Sequence, residues 1–400
     1  MRLLVLSHPC VTPINQQFFA AVEQIAGWEV NIVVPAAWKN DYAALVHPTR
    51  WPGFKGKLIE IPAVMSGNIP LHFYRSTFVS LLESTAPDVI YAHHEPYAAA
   101  TIQLYMANRL TRRCPIGFYS AQNIRKRYPL PFHLGEQFVF EQSAFAFPVS
   151  RSVEDVLRAK GYRAPAKVLP LGIDPDIYRP HPDASSLAAA LRGPSEDLLI
   201  GYLGRLTEEK GLRTLLHALA ELRTMPWRLI VVGSGDYETA FIETAHRLGL
   251  DSRIRLVGFV PHPEAPRYLS AFDLLVLPSE SRPNWKEQFG RVVVEALACG
   301  TPVVGSDSGE IPFVINATGG GLVFREGDSS DLARALLELA GNPEERRRMI
   351  AAAQAYVARH LVNSEIAVQF VETVSRSVAN HGLEPPGNVK RRTAVPSRHS

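Results

Sequence analysis

Short, nearly continuous apolar runs alternate with helical stretches along this chain, and the whole alternation occurs twice. No other feature restricts the fold as strongly. Strands that are apolar along their whole length, rather than at every second residue, are buried on both faces. Alternating with helices, they imply a parallel sheet with helices packed on both sides. The first series reads RLLVLS (2–7), WEVNIVVP (28–35), KLIEIPAV (57–64), DVIYAHH (88–94), PIGFYSAQNI (115–124), FAFPVS (145–150) and KVLPLGI (167–173). Helices are predicted for NQQFFAAVEQIAG, FYRSTFVSLLEST, AAATIQLYMANRL and SVEDVLRAKG between them. The second series starts at LLIGYLGRL and runs through WRLIVVGSG, RIRLVGFV, DLLVLPS, TPVVGS and GLVF, again with helices between.

A chain of 400 residues is too long for one ordinary core, so the two series predict two domains. The expected division is a first domain over 1–173, a linker over 174–197 and a second domain over 198–362. A helix over 363–380 would pack back on the first domain, and 381–400 would be a disordered tail. The linker, DPDIYRPHPDASSLAAALRGPSED, is rich in Pro, Asp and Ser and holds one short helix. The fold class is thus α/β, with two Rossmann-like, doubly wound parallel-sheet domains facing a central cleft.

Ligands of such sheets sit at the carboxyl ends of the strands. In the second series four strand ends carry chemistry. LLIGYLGRLTEEKG places Arg205 and Lys210 in one strand-to-helix loop, where two cations can clamp a diphosphate. Gly204 before them lets backbone approach a ligand closely. IVVGSGDYE supplies Gly233 and Gly235 at a second strand-to-helix turn, without the third glycine of a dinucleotide fingerprint. After LLVLPSESRPN comes NWKEQFGRVVVEALACG, with Glu287 and Glu295 separated by seven residues. Phe289 and Gly290 would open the helix that carries Glu295, where free N–H groups favour an anion or sugar hydroxyls. Glu295 falls in an otherwise apolar run. It is either a core carboxylate paired to an arginine or a group accepting from two vicinal hydroxyls. The fourth strand end, SDSGEIPFVI, adds a Gly309-Glu310 turn. Two cations, several glycines and two carboxylates on one edge ask for a nucleoside diphosphate joined to a polyhydroxylated group.

This ordered set resembles the retaining glycosyltransferases of the GT-B fold, and most nearly glycosyltransferase family 4. The similarity runs through nearly all of 201–324 and more loosely elsewhere. It implies a nucleotide-sugar donor (a UDP- or GDP-sugar), a saccharide or lipid-linked acceptor, and a role in polysaccharide or glycoconjugate biosynthesis. It implies that Arg205 and Lys210 bind the donor diphosphate, that Glu295 binds the ribose hydroxyls and that Glu287 holds the donor sugar near the reacting carbon. The Phe289 and Gly290 amides would help to place the donor. Retention without an enzyme nucleophile is the family expectation, the leaving phosphate taking the acceptor proton on the same face. No Asp-x-Asp diphosphate-metal motif stands out at the strand ends that carry this set, so no metal and no cofactor are expected.

The first half departs from the family pattern. After its first strand many members have a Gly-Gly loop, where this chain reads SHPCVTPINQQ. Several have a histidine after the strand that here reads IGFYSAQN, where Ser120, Ala121, Gln122 and Asn123 stand instead. Candidate acceptor-side residues are therefore Gln122 and Asn123, with His93 and His94 at the end of DVIYAHH. A histidine at a strand end is more often structural than a ligand. Through Leu169 the chain holds 17 Lys and Arg against 11 Asp and Glu, and beyond it 25 against 28. This basic first half, with its RKRYP run (125–129), is either scattered solvated charge or a face for an anionic acceptor or a membrane surface. Nucleic acid is not expected as a partner. Three cysteines without paired spacing are expected to stay reduced. The apolar start is too short for a leader and no run reaches a membrane span, so a cytoplasmic protein, at most peripheral to the inner face of a membrane, is predicted.

Three rival readings stay open at this level. They are a Rossmann oxidoreductase, disfavoured by the incomplete glycine fingerprint, a GT-B epimerase, and a non-catalytic nucleotide-sugar-binding protein.

Overall fold

Twelve of the strands form two six-stranded, wholly parallel sheets with the same strand order. The computed structural model describes residues 1–40, 44–193 and 197–382. In the first sheet the strands are β1 (Arg2–Leu6), β2 (Glu29–Pro35), β3 (Lys57–Ile61), β4 (Val89–Ala92), β5 (Ile116–Ser120) and β6 (Phe145–Pro148). They lie side by side as β6-β5-β4-β1-β2-β3. The second sheet holds β7 (Leu198–Leu203), β8 (Trp227–Val232), β9 (Ile254–Gly258), β10 (Leu274–Leu277), β11 (Val303–Ser306) and β12 (Gly321–Phe324). Its order, β9-β8-β7-β10-β11-β12, repeats the first. In each sheet the chain reverses direction of travel beside its first strand, which opens a crevice at the carboxyl ends there.

The burial of the strands follows from their residue pattern. Leu3 and Val5 of β1 belong to one apolar cluster, and Leu4 and Leu6 belong to another on the opposite face. Ile200 and Tyr202 of β7 likewise face one layer and Leu199 the other. Successive side chains of a strand point to opposite faces, so a strand covered on both sides has to be apolar throughout.

The sequence reading needs three corrections. KVLPLGI (167–173) forms no strand; only isolated bridges occur there, Ala146 with Ala166 and Ile173 with Val362. Two prolines and a glycine in or beside it break a regular ladder. KLIEIPAV splits at Pro62, and its second half, Ala63–Val64, turns to pair antiparallel with Phe73–Tyr74. The predicted helix FYRSTFVSLLEST therefore begins as strand and is helical over Val79–Thr85 alone. A helix over Phe132–Gln142 also escaped the reading, masked by the prolines just before it.

The short helix Ala184–Arg192 is docked on the second domain. Arg192 reaches Asp273 at 2.7 and 2.6 Å, and Ala188 and Leu191 enter the cluster that holds Leu199 and Ala271. The last helix, Asn363–Asn380, crosses to the first domain. Phe370 stacks on Phe147 with ring centres 4.9 Å apart, and it meets Phe18 edge-on at 5.4 Å. His381 and Gly382 follow as a turn, and the rest of the expected tail, 383–400, lies outside the described residues. Among the described residues no helix is long and apolar enough to cross a membrane.

Candidate functional site

Three loops at the carboxyl ends of β7, β8 and β10 meet in the second domain. The loop after β7 carries Gly204 and Arg205, then a single 3-10 turn, Glu208–Lys210, and the helix Leu212–Glu221. It is locked to the loop after β8 by backbone hydrogen bonds, Gly204 N to Val232 O at 3.0 Å and Leu206 N to Ser234 O at 3.0 Å. Gly233 has φ +137°, and a β-carbon there would stand 1.9 Å from the Gly204 carbonyl oxygen. A β-carbon at Gly235 would similarly lie 2.1 Å from the Leu206 oxygen. Both glycines are thus required by contact between two ligand-facing loops, a local structural role alongside any approach to a ligand.

Lys210 closes the constellation. Its Nζ lies 2.6 Å from Glu287 Oε2, and Ser279 Oγ donates to the same oxygen at 2.9 Å. The Lys210 ammonium also stands 4.9 Å from the centre of the Trp285 ring. Both partners of the ion pair are largely buried, their side chains 14% and 12% exposed. Lysine and glutamate 77 residues apart are brought together because β7 and β10 are neighbours in the sheet. Arg205 sits in the same loop, its carbonyl accepting the Tyr202 hydroxyl at 2.6 Å.

The Glu287 backbone is held as firmly as its side chain. Its carbonyl accepts from Glu310 N at 3.2 Å and from Asn123 Nδ2 at 2.9 Å. Gly309, at φ +56°, admits this carbonyl where a β-carbon would come within 2.0 Å of it. Asn123 belongs to the first domain, so the hydrogen bond spans the cleft. It follows the Ser120-Ala121-Gln122 stretch, which is fixed by Glu95. Glu95 accepts from Ser120 Oγ and Ala121 N, both at 2.7 Å. Burial pushes the Glu95 carboxyl up to about 7, against the opposing pull of those two donors. Gln122 turns back on its own loop, its Oε1 accepting from Ile124 N at 3.1 Å.

Phe289 is part of the apolar core, and Gly290 caps the helix Arg291–Ala298 in the left-handed region at φ +72°. Val293 N closes the first turn on the Gly290 carbonyl at 2.8 Å. Glu295 is 5% exposed, and Arg291 Nε approaches its Oε1 at 3.0 Å. This is an ion contact without the alignment of a hydrogen bond. The arginine-paired reading of Glu295 is therefore realised, one helical turn away along the same face. Arg291 remains 30% exposed and lines an interdomain cavity with His93, Tyr119 and Asn363. Tyr178 packs beside Glu295. Burial, with the Glu295 charge second, holds its phenol well above its ordinary range.

The two acceptor-side histidines separate. His93 faces the interdomain cavity, with Nδ1 3.1 Å from Ser7 Oγ, and burial lowers it to about 4. His94 turns the other way, into a cluster with His8 and His72. Three residues of this region escaped the sequence reading. Glu95 follows a strand-end His-His pair, and that polar run at a strand end was the available signal. His8 and His72 carried none, since each is an isolated histidine in a loop.

The glycosyl transferases group 1 family matches residues 185–356. The amylovoran biosynthesis glycosyltransferase AmsK of Erwinia amylovora is 29% identical over 352 residues, 86% of this chain and 80% of that protein. The 2-deoxystreptamine N-acetyl-D-glucosaminyltransferase of Streptomyces fradiae is 31% identical over 51% of this chain and 48% of its own length. Alignments to the further curated relatives also span about half of those proteins. Among solved structures, Anabaena Alr3699/HepE in complex with UDP superposes with a TM-score of 0.74 at 20% identity, covering 94% of this chain and all of that one.

Proposed function

We propose that this chain, matched by the glycosyl transferases group 1 family over 185–356 and built of two GT-B-type parallel-sheet domains, is a retaining hexosyltransferase of family 4 that uses a UDP- or GDP-sugar. The observation that carries this reading is the Lys210–Glu287–Ser279 cluster at the strand ends, tied across the cleft by Asn123. A cation, a carboxylate and a contact from the first domain meet at one carbonyl-anchored loop. That is the arrangement needed to hold a sugar between its diphosphate and an acceptor.

In this reading Arg205 and Lys210 face the diphosphate, and Lys210 exchanges its contact with Glu287 for one with the β-phosphate. The freed Glu287 carboxylate accepts from donor-sugar hydroxyls, while Glu295, oriented by Arg291, accepts from the ribose. The bond from the anomeric carbon to the phosphate oxygen breaks, and the acceptor hydroxyl oxygen bonds to that carbon on the same face. The acceptor proton leaves with the nucleoside diphosphate. Positive charge on the two cations stabilises the departing phosphate, and its value rises as the closing cleft excludes water. The acceptor, a saccharide or lipid-linked saccharide of polysaccharide or glycoconjugate synthesis, enters from the first domain, past His93, Gln122 and Asn123. The cytoplasm, or the inner face of a membrane touched by the basic first domain, is the matching location.

The test is a thermal-shift screen of nucleotide sugars, followed by transfer assays with the stabilising donor. Transfer to an acceptor, or slow donor hydrolysis, supports the proposal. Epimerised donor without transfer or hydrolysis points to an epimerase, and stabilisation with no chemistry to a binding protein. Donor chemistry is proposed to be metal-independent, so it should survive EDTA. Loss that magnesium or manganese restores would overturn that part.

A further inference from the structure

We propose that His8, His72 and His94 form a binding site for one first-row transition-metal ion, zinc being the best match, at the carboxyl edge of the first sheet. The site lies in the first domain, away from the donor-binding loops, and does not depend on the proposed reaction.

Three separate segments build it. His8 lies two residues beyond β1 and His94 two beyond β4, and those strands are hydrogen-bonded neighbours. Both rings therefore project from one sheet edge. The antiparallel pair Ala63–Val64 and Phe73–Tyr74 brings His72 over them. Each residue offers one ring nitrogen, and the three lie within 4.8 Å of one another. Ring centres are 4.7 Å apart for His8 and His94, 5.1 Å for His72 and His94, and 5.6 Å for His8 and His72. The Trp38 ring packs against both His8 and His72, which limits how far the rings can turn away. Tetrahedral ligation, with zinc–nitrogen bonds of about 2.0–2.1 Å, sets the nitrogens roughly 3.3–3.4 Å apart, so the rings must close in from this limit.

The hydrogen bonds point to a missing ligand. His72 Nδ1 donates to the carbonyls of Asn68 at 3.1 Å and Ile69 at 2.9 Å. That fixes the tautomer and leaves Nε2 with a bare lone pair. His72 is fully buried, and this Nε2 has no hydrogen-bond partner. An imidazole whose far nitrogen is anchored to backbone carbonyls, with the near one left bare, has the arrangement of a metal-ligating histidine. His94, 1% exposed, offers Nε2, which accepts from the His8 amide at 2.9 Å; its Nδ1 is the N–H nitrogen of that tautomer and has no hydrogen-bond partner. His8 Nδ1 is 3.4 Å from that same Nε2. A metal ion would take the His94 Nε2 lone pair from the amide, and the turn Pro9–Val11 would shift to suit.

The donor set selects the ion. Three neutral imidazoles suit zinc, copper, nickel or iron, and not magnesium or calcium, which need oxygen ligands. Three histidines leave a fourth position open, as in zinc sites that bind water or substrate. His8 is the partly exposed member of the three.

The experiment uses the full chain without a histidine tag, stripped with EDTA and dialysed. Zinc is titrated by calorimetry, and cobalt by its visible absorption, which reports tetrahedral nitrogen ligation. One equivalent per chain is expected, with a melting temperature raised by zinc. His72→Ala and His8→Ala should each weaken zinc binding by at least about tenfold, in line with the cost of disturbing a metal shell. His72 is buried, so its variant may lose the fold; His8→Ala, at a partly exposed position, keeps the test decisive. Histidine nitrogen NMR of the unmutated chain needs no variant, and three ring signals should move on zinc addition. Uptake well below one equivalent, or binding unchanged in a folded His8→Ala chain, would overturn the site. A buried water in place of the ion would show as no uptake and no change in melting.

Discussion

Lys210 and Glu287 lie 2.6 Å apart in the loops that follow two adjacent strands, each the ion partner of the other. In the proposed reaction a donor diphosphate that draws Lys210 away would also release Glu287 for the sugar, so donor binding and the freeing of that carboxylate would be one event.

Lys210→Ala should abolish most turnover and also lower stability by about 1–3 kcal/mol, because it strands a largely buried carboxylate. Adding Glu287→Gln should restore the melting temperature without restoring activity. Full activity in Lys210→Ala, or in Arg205→Ala combined with it, would show that the cations do not serve the donor.

The two glutamates should separate in calorimetry. Glu295→Gln should weaken binding of the bare nucleoside diphosphate and of the full donor alike. Glu287→Gln should not weaken nucleoside diphosphate binding, and can strengthen it because Lys210 loses a competing carboxylate, while turnover falls, the sign of a contact made mainly in the transition state. Ligand-free melting curves must come first, since Glu295 also holds Arg291. Equal affinity losses in both folded variants would refute this division of roles.

Asn123→Ala removes the hydrogen bond from the first domain to the Glu287 carbonyl. The expected loss is about 0.5–1.5 kcal/mol, as for a single net hydrogen bond. It should appear in turnover and in the closed population seen by small-angle scattering, with little change in melting. Unaltered kinetics would mean that the bridge does not contribute to closure.

Glu95 makes stability depend on pH. Its folded-state value, about 7, lies above the roughly 4.3 of an unfolded glutamate, so the folded chain holds a proton that the unfolded chain releases. The resulting stabilisation is complete below the unfolded value and is lost as pH rises through about 7. Glu95→Gln can still accept from Ala121 N and can donate to the Ser120 hydroxyl. Its melting temperature should therefore fall less than wild type's between pH 5 and 8. Parallel curves for the two proteins would contradict the assignment.

What the sequence determined on its own was the kind of sheet and the edge on which chemistry sits. Fully apolar runs such as RLLVL and LLIGYL have no polar face to show to water, so they had to lie inside parallel sheets. Glycines and charges at the ends of those runs marked the ligand edge, because strand-to-helix loops are short and local. Glu295 stood out for the same local reason, a carboxylate in an apolar helix. Tertiary structure alone decided who meets whom. Lys210 finds Glu287 across 77 residues, and Asn123 reaches the same residue across 164. His8, His72 and His94 converge from three loops with no shared pattern. Local propensity and periodicity are set by residues a few positions apart. Pairings of this length depend on strand order and on the closure of one domain against the other, and no short window of sequence carries either. The same holds where the reading failed. KVLPLGI is apolar enough for a strand, and its Lys167 and Leu169 amides bond to Ala146 and Pro148 of β6, but the pairing stops beside Pro170 and leaves only an isolated bridge.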